Sequence, residues 1–181
     1  MSDIIVLSGS NSAQSINTQF LHYITGQIDS IETVYVKLTD FFIPIYNLDI
    51  EQERGIPVDI QILKNKITAS SGLIIAVNEH NGSISAFFKN IIDWLSRADR
   101  NFLADKKILL VSTSPGARGA ATALQYAKQT FPRFGGQVVE SFSLPSFQEN
   151  FDVKNQEVIG STLKMGINEV LASFLQQISN Q

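Results

Sequence analysis

The chain has 181 residues, 44% apolar and 17% charged, with a formal net charge of −3. That is enough for one domain, 1–181, with a sizeable core, and it excludes a disordered chain. The mild negative charge, with no basic stripe, argues against a nucleic-acid binder, and the lack of cysteine excludes disulfides, thiolate nucleophiles and cysteine metal sites.

Asp3-Ile4-Ile5-Val6-Leu7-Ser8 is a nearly unbroken apolar run rich in β-branched residues, the pattern of a strand buried on both faces. A small polar stretch follows, and then Ile16, Phe20, Leu21, Ile24 and Ile28 fall on one helical stripe. Glu32 to Leu38, centred on Thr33-Val34-Tyr35-Val36, reads as the second strand. Thr39 to Gly55 reads as a long loop, too apolar for a linker and too irregular for an element; loops of this length are often functional. Pro57 opens a helix whose buried stripe is Ile60, Leu63 and Ile67.

Gly72 to Val77 is the clearest strand. It ends in the polar turn Asn78-Glu79-His80-Asn81-Gly82-Ser83, ahead of a helix with Ile84, Phe87, Phe88, Ile91, Ile92 and Leu95 at helical spacing. Lys106 to Ser112 is the fourth strand and runs into a small-residue loop, Thr113 to Gly119. A helix carrying Ala120, Leu124, Ala127 and Phe131 follows, stopped by Pro132 and Gly135-Gly136. Gln137 to Phe142 is the fifth strand, Pro145 to Asp152 a loop, and Leu163 to Ile178 the stripe of the last helix. The N-terminus has no basic leader with an apolar core, and no apolar run reaches about 18 residues, so a cytoplasmic protein with no membrane segment is expected.

Five strands alternating with five helices predict an α/β fold with a parallel sheet and helices on both faces. Right-handed crossovers put every strand-to-helix turn at the carboxyl edge of that sheet. In the order 2-1-3-4-5 the ligand crevice lies between the first and third strands. The turns at Gly9 to Asn17 and Asn78 to Ser83 then flank one crevice, with Ser112 to Gly119 beside it.

The first turn, rich in Ser, Asn and Gly, is suited to an anion: helix-start N–H groups carry the positive end of the helix dipole, and the hydroxyls of Ser10, Ser12 and Ser15 and the amide of Asn17 add donors. Taken alone, it is equally explained by Ser15 capping a helix. It is neither G-x-x-x-x-G-K-[ST] nor G-x-G-x-x-G.

Four stretches together carry a resemblance. Gly9-Ser10-Asn11-Ser12-Ala13-Gln14-Ser15-Ile16-Asn17 resembles the G-S-x-R-x-x-S-x-N motif of the flavodoxin-like NADPH-dependent FMN reductases, which include quinone, azo-dye and chromate reductases. Pro44-Ile45-Tyr46-Asn47 resembles their P-x-Y-N segment. Asn78-Glu79-His80-Asn81-Gly82-Ser83, followed by Lys89-Asn90-Ile91-Ile92-Asp93-Trp94, resembles P-E-Y-N-G-S and the K-N-x-I-D-W helix. Ser114-Pro115-Gly116-Ala117-Arg118-Gly119-Ala120 resembles S-P-G-x-x-G-G.

The resemblance implies a flavodoxin-like three-layer sandwich and an FMN-dependent NAD(P)H oxidoreductase, with NADPH or NADH as donor and a quinone-, azo- or flavin-type acceptor. It implies a homodimer or homotetramer. It gives Ser10, Asn11, Ser12, Ser15, Ile16 and Asn17 to the FMN phosphate end. Asn78, Glu79, His80, Asn81 and Gly82 run along the isoalloxazine ring, mostly through backbone groups, and Ser114, Pro115 and Gly116 border its far side. The cofactor carries the chemistry, so no catalytic side chain is implied. Four positions depart from the pattern: Asn11 stands for the arginine, Asn78 for the proline, His80 for the tyrosine and Ala120 for the second glycine. Asn11 leaves only neutral donors for the phosphate.

His80 is either a flavin or substrate contact or a bystander in a turn that works through its backbone, and His22 is expected at or near the surface. Two histidines without cysteine make no transition-metal site. Trp94 and Phe41-Phe42 are core or subunit contact, core packing being the commoner explanation. Arg118 is solvated or meets a phosphate, and Asp93 serves structure. Two other readings compete: a flavodoxin-like electron carrier with little nicotinamide activity, and a member that has lost its flavin and serves as a binding module. A response-regulator receiver is excluded, because Ser8-Gly9-Ser10 stands where its acidic cluster belongs.

Overall fold

In a computed structural model, which describes residues 3–180, the first apolar run forms β1 (Ile4–Ser8) at the heart of a five-stranded parallel sheet. Its neighbours are β2 (Thr33–Tyr35) and β3 (Gly72–Ala76), followed outward by β6 (Lys107–Thr113) and β7 (Gln137–Leu144). The order β2-β1-β3-β6-β7 is the flavodoxin-like order, with the reversal between β1 and β3.

Side chains alternate across a strand, and the alternation divides the core in two. Ile5, Leu7, Leu73, Ile75, Ile108 and Leu110 face α3 (Val58–Ala69), α4 (Ala86–Ala98) and α5 (Ala121–Thr130). Ile4, Val6, Ile74, Ala76, Leu109 and Val111 face α1 (Ile16–Thr25) and α7 (Ser161–Ser179). The β6–β7 register shifts between Ile108 and Leu109, which pair with Val138 and Glu140. Val139 is therefore an extra residue in β7, a bulge at the edge of the sheet.

The long loop after β2 is not all loop. Leu38–Asp40 is a turn of 3₁₀ helix, and Leu48–Arg54 forms α2, capped by the Asn47 side chain, which accepts the Asp49 N–H at 2.7 Å. None of the residues of α2 is buried, so no apolar stripe announced it. The second strand is shorter than expected because the chain leaves the sheet after the Val36 N–H bonds the Val6 carbonyl. The turn after β3 contains a hairpin, β4 (Glu79–His80) and β5 (Ser83–Ile84). The segment after β7 folds into α6 (Phe147–Asn150) and a second hairpin, β8 (Phe151–Asp152) and β9 (Glu157–Val158).

Candidate functional site

Three turns at the carboxyl edge of the sheet enclose a cleft of about 220 Å³. Ser10, Ser12, Ser15, Ile16 and Asn17 reach it from the turn after β1. Asn78, Glu79 and His80 come from the turn after β3, and Ser114 and Pro115 from the turn after β6. Gln14 and Thr113, which the motif reading did not single out, also line it. Four expected positions lie off this lining. Asn11 faces a second cavity on the other flank of the first turn, Asn81 and Gly82 form the hairpin tip, and Gly116 lies beyond Pro115.

The first turn is a run of small serine-based turns. Ser8, Ser10 and Ser12 hydroxyl oxygens accept the N–H groups of Ser10, Ser12 and Gln14, each at 3.3 Å. Each hydroxyl keeps its own hydrogen to donate elsewhere. Ser15 is the N-cap of α1, its Oγ accepting the Thr18 N–H at 3.2 Å. Ile16 and Asn17 thus present first-turn N–H groups at the positive end of the helix. The capping role of Ser15 is thus present, and the helix start that it secures lines the cleft through Ser15, Ile16 and Asn17.

Asn17 differs from expectation. Its Nδ2 donates to the Thr113 carbonyl and its Oδ1 accepts the Thr113 N–H, both at 3.0 Å. The side chain is buried and fastens α1 to the end of β6. Its amide is a structural clasp made with Oδ1 and one of the two Nδ2 hydrogens.

Ser85 was not singled out from sequence, although a serine ahead of an apolar-periodic run is an N-cap signal. It caps α4 by accepting the Phe88 N–H at 3.1 Å and donates to the Gly9 carbonyl at 2.8 Å. One buried hydroxyl therefore joins the first turn to the helix after the hairpin. At the hairpin tip Asn81 and Gly82 are both left-handed (φ 52° and 77°), the two-residue Asn-Gly turn that suits strand twist. Glu79 accepts the Ala123 N–H at 3.0 Å, setting its carboxylate at the N-terminus of α5, where negative charge is favoured.

The third turn is bolted down by the segment after β7. Ser146 N–H bonds the Gly116 carbonyl and Phe147 N–H the Ser114 carbonyl, both at 3.0 Å. Ser114 Oγ accepts the Ala120 N–H at 3.1 Å. Ala120 is left-handed (φ 66°), a conformation glycine takes without strain.

A clamp on α4 fixes the segment 44–51. Asn90 Nδ2 and Trp94 Nε1 both donate to the Pro44 carbonyl, at 2.9 and 2.8 Å, and Asn90 Oδ1 accepts the Tyr46 N–H at 2.7 Å. Tyr46 packs edge-on against Trp94 with ring centroids 5.0 Å apart, and Trp94 is wholly buried. Glu51 accepts from the Tyr46 hydroxyl at 2.9 Å and from Arg97 Nε at 2.9 and 3.0 Å. The Arg97 bond holds the Glu51 carboxyl below its usual range, and the bond to Glu51 raises the Tyr46 hydroxyl. Asp93 pairs with Lys89, at 2.6 Å, His22 is exposed against Tyr35, and Arg118 is exposed.

The cleft lining carries no lysine or arginine, and its one carboxylate is taken up by α5. An anion there meets hydroxyls, N–H groups and the His80 imidazole. Asn78 Oδ1 is buried without a partner, although its Nδ2 reaches His80 Nε2 at 3.5 Å. An orphaned buried acceptor costs stability until a donor meets it. Among the described residues, no group of three or more His, Asp or Glu side chains is placed to hold a metal, and no helix is long and apolar enough to cross a membrane.

The model of the NADPH-dependent FMN reductases matches residues 2–149. The chain belongs to this family. It is 31% identical over 128 residues to the NAD(P)H-dependent FMN reductase of Pseudomonas aeruginosa, a match covering 70% of this chain and 68% of that one. It is 32% identical over 120 residues to the quinone reductase of Escherichia coli K12, covering 61% of this chain and spanning 64% of the length of that relative. The NAD(P)H:acceptor oxidoreductase FerB of Paracoccus denitrificans has the same fold, with a TM-score of 0.79 at 22% identity over 99% of this chain and 98% of that one. The cofactor of the family is FMN. The cleft fits it on its own evidence: uncharged donors at a helix start suit a phosphate monoester, and an orphaned acceptor awaits a ring or hydroxyl donor.

Proposed function

We propose that this chain is an FMN-dependent NAD(P)H oxidoreductase, passing hydride from nicotinamide to bound FMN and then electrons to a quinone-, azo- or flavin-type acceptor. The observation that carries this reading is the meeting of the three turns at one cleft, at the point where strand order reverses, with Asn78 Oδ1 buried and unpartnered in its wall. Ser10, Ser12 and the first-turn N–H groups of α1 would hold the phosphate. Asn78 would accept a hydrogen bond from the flavin, and the Asn81-Gly82 turn would keep the hairpin backbone along the ring. Ser114 and Pro115 would close the opposite border. Bound FMN supplies the hydride and electron chemistry. The chain's part is to bind, orient and leave one face open to donor and acceptor, so no side chain is assigned as acid, base or nucleophile.

We also propose one domain across 1–181, assembled as a homodimer or homotetramer in the cytoplasm, where nicotinamide donors are at hand. Phe42, Ile45, Leu48 and Val58 stand exposed around the 41–58 segment, an apolar surface suited to a subunit contact.

The test is the visible spectrum of the chain after incubation with FMN and desalting, followed by anaerobic addition of NADH or NADPH. Retained flavin bands, bleached by a nicotinamide and restored by a quinone, support the reading. Retained flavin that neither nicotinamide bleaches would make the chain an electron carrier. No retained flavin and no turnover with added FMN would overturn both.

A further inference from the structure

A second cavity, of about 360 Å³, lies on the far flank of the first turn. It is larger than the cleft described above, and the two share a wall: Ser10 and Ser12 line both. Its other walls come from separate elements, Thr18 and His22 of α1, Tyr35 at the end of β2, and Lys37 just after it. The Tyr35 and His22 rings lie with centroids 4.9 Å apart, and Tyr35 keeps 37% of its surface exposed. Lys37 is held only by an exposed ion pair with Asp40, at 3.2 Å. Such pairs contribute little and yield readily to a stronger partner. No carboxylate is among the lining residues. The cavity thus combines an aromatic wall, an exposed ammonium and two serines of the first turn.

We propose that this cavity binds an adenylate group, the purine against Tyr35 and His22 and its phosphate on Lys37. The inference rests on the flavin reading only in that the shared turn is also the one assigned to FMN. An adenylate can arrive in three forms: as free nucleotide, as the adenylate half of FAD joined across the Ser10–Ser12 wall, or as the adenylate half of the nicotinamide donor.

The test titrates AMP into FMN-saturated protein by calorimetry, using wild type and the variants Tyr35→Thr and Lys37→Gln. Threonine preserves the strand preference of position 35 while removing the ring. Each variant is expected to weaken AMP about tenfold, as loss of one stacking or charge contact does, and to change FMN affinity less than about twofold. FAD held more tightly than FMN by wild type, with that advantage lost in Tyr35→Thr, assigns the group to a dinucleotide flavin. Competitive inhibition of NAD(P)H oxidation by AMP assigns it to the donor. No AMP binding and no FAD advantage, or AMP binding that both variants leave unchanged, overturns the proposal. Loss of FMN binding in wild type would sink the flavin reading instead, and AMP titrated into that same protein still reads this cavity.

Discussion

Asn90 holds Tyr46 by its backbone: Oδ1 accepts the Tyr46 N–H at 2.7 Å while Nδ2 donates to the Pro44 carbonyl two residues earlier. One amide on α4 thereby pins both ends of a tripeptide, and Trp94, one turn further on, adds a second bond to the same carbonyl. P-x-Y-N and K-N-x-I-D-W thus meet in this fold: side chains of the second segment bond the backbone of the first.

Asn90→Ala removes two bonds and strands the Tyr46 N–H, whereas the Pro44 carbonyl keeps Trp94. At roughly 0.5–1.5 kcal/mol per bond, a loss of about 1–3 kcal/mol is expected. Urea unfolding followed by far-UV dichroism checks it. A midpoint equal to that of wild type would show that the clamp contributes nothing.

The same clamp responds to pH at both ends of the scale. The folded-state pKa of Glu51 is lowered by Arg97, so its contribution is present above the usual carboxylate range and is lost as pH falls through the folded value. The folded-state pKa of Tyr46 is raised by Glu51, so its contribution is present below the usual phenol range and is lost as pH rises through the folded value. Trp94 is the sole tryptophan and bonds this segment directly, so its emission reports the change. A plateau at neutral pH with a shift at each extreme is expected, and Glu51→Gln should abolish the acid shift. An unaltered acid shift in that variant would assign it to other carboxylates.

Asn17→Ala opens the clasp between α1 and β6 and leaves the Thr113 N–H and carbonyl buried without partners. A stability loss of about 2–4 kcal/mol is expected from two unpaired groups. FMN affinity should fall with it, because two turns of the cleft lose their common fastening. Ser10→Ala should instead weaken FMN while barely moving the unfolding midpoint. Equal effects of the two variants on both measurements would erase the distinction between clasp and ligand contact.

Two glycines should fail for opposite reasons. A Cβ at Gly9 would lie 2.8 Å from Phe88 Cγ and Cδ1 and 3.1 Å from Phe88 Cβ, too near the root of that side chain for it to swing away. Gly9→Ala is expected to cost about 1–3 kcal/mol by overpacking. Gly82 has open space around it but φ of 77°, so Gly82→Ala is expected to cost about 1–2 kcal/mol through backbone strain alone. Phe88→Leu should relieve the first variant and not the second, a difference visible in paired melting curves.

The three inner strands were legible in the chain because each is a short apolar run, and parallel strands buried on both faces leave that trace; the edge strands β2 and β7 are half-buried and showed only through β-branched residues such as Val34, Val138 and Val139. The crevice followed from strand order alone. Apart from the Ser85 cap, what escaped notice lacks local signal. Leu48 to Arg54 forms a helix with no buried face, secured by Tyr46, Glu51 and Arg97, the last of these far along the chain. Asn17 stands where a phosphate donor belongs, yet its partner is Thr113, 96 residues away. Asn11 occupies the motif but looks into the other cavity. In each case sequence shows which group is present, and only the packed chain shows what it is bonded to.

The stretch by which the family is recognised stops at residue 149, but α7 begins at Ser161. Ile167, Leu171, Phe174 and Ile178 are the cover over Ile74, Leu109 and Val111. Those four side chains are worth roughly 6–12 kcal/mol of burial, comparable to the whole stability of a domain. A clone trimmed to the recognisable motif would keep every residue assigned to the flavin and still leave α1 as the one long helix over that side of its sheet, with the part that α7 covers open to water. The stretch that carries the family's motifs and the stretch that closes the core are different lengths of this polypeptide, and anyone designing a minimal version must respect the longer one.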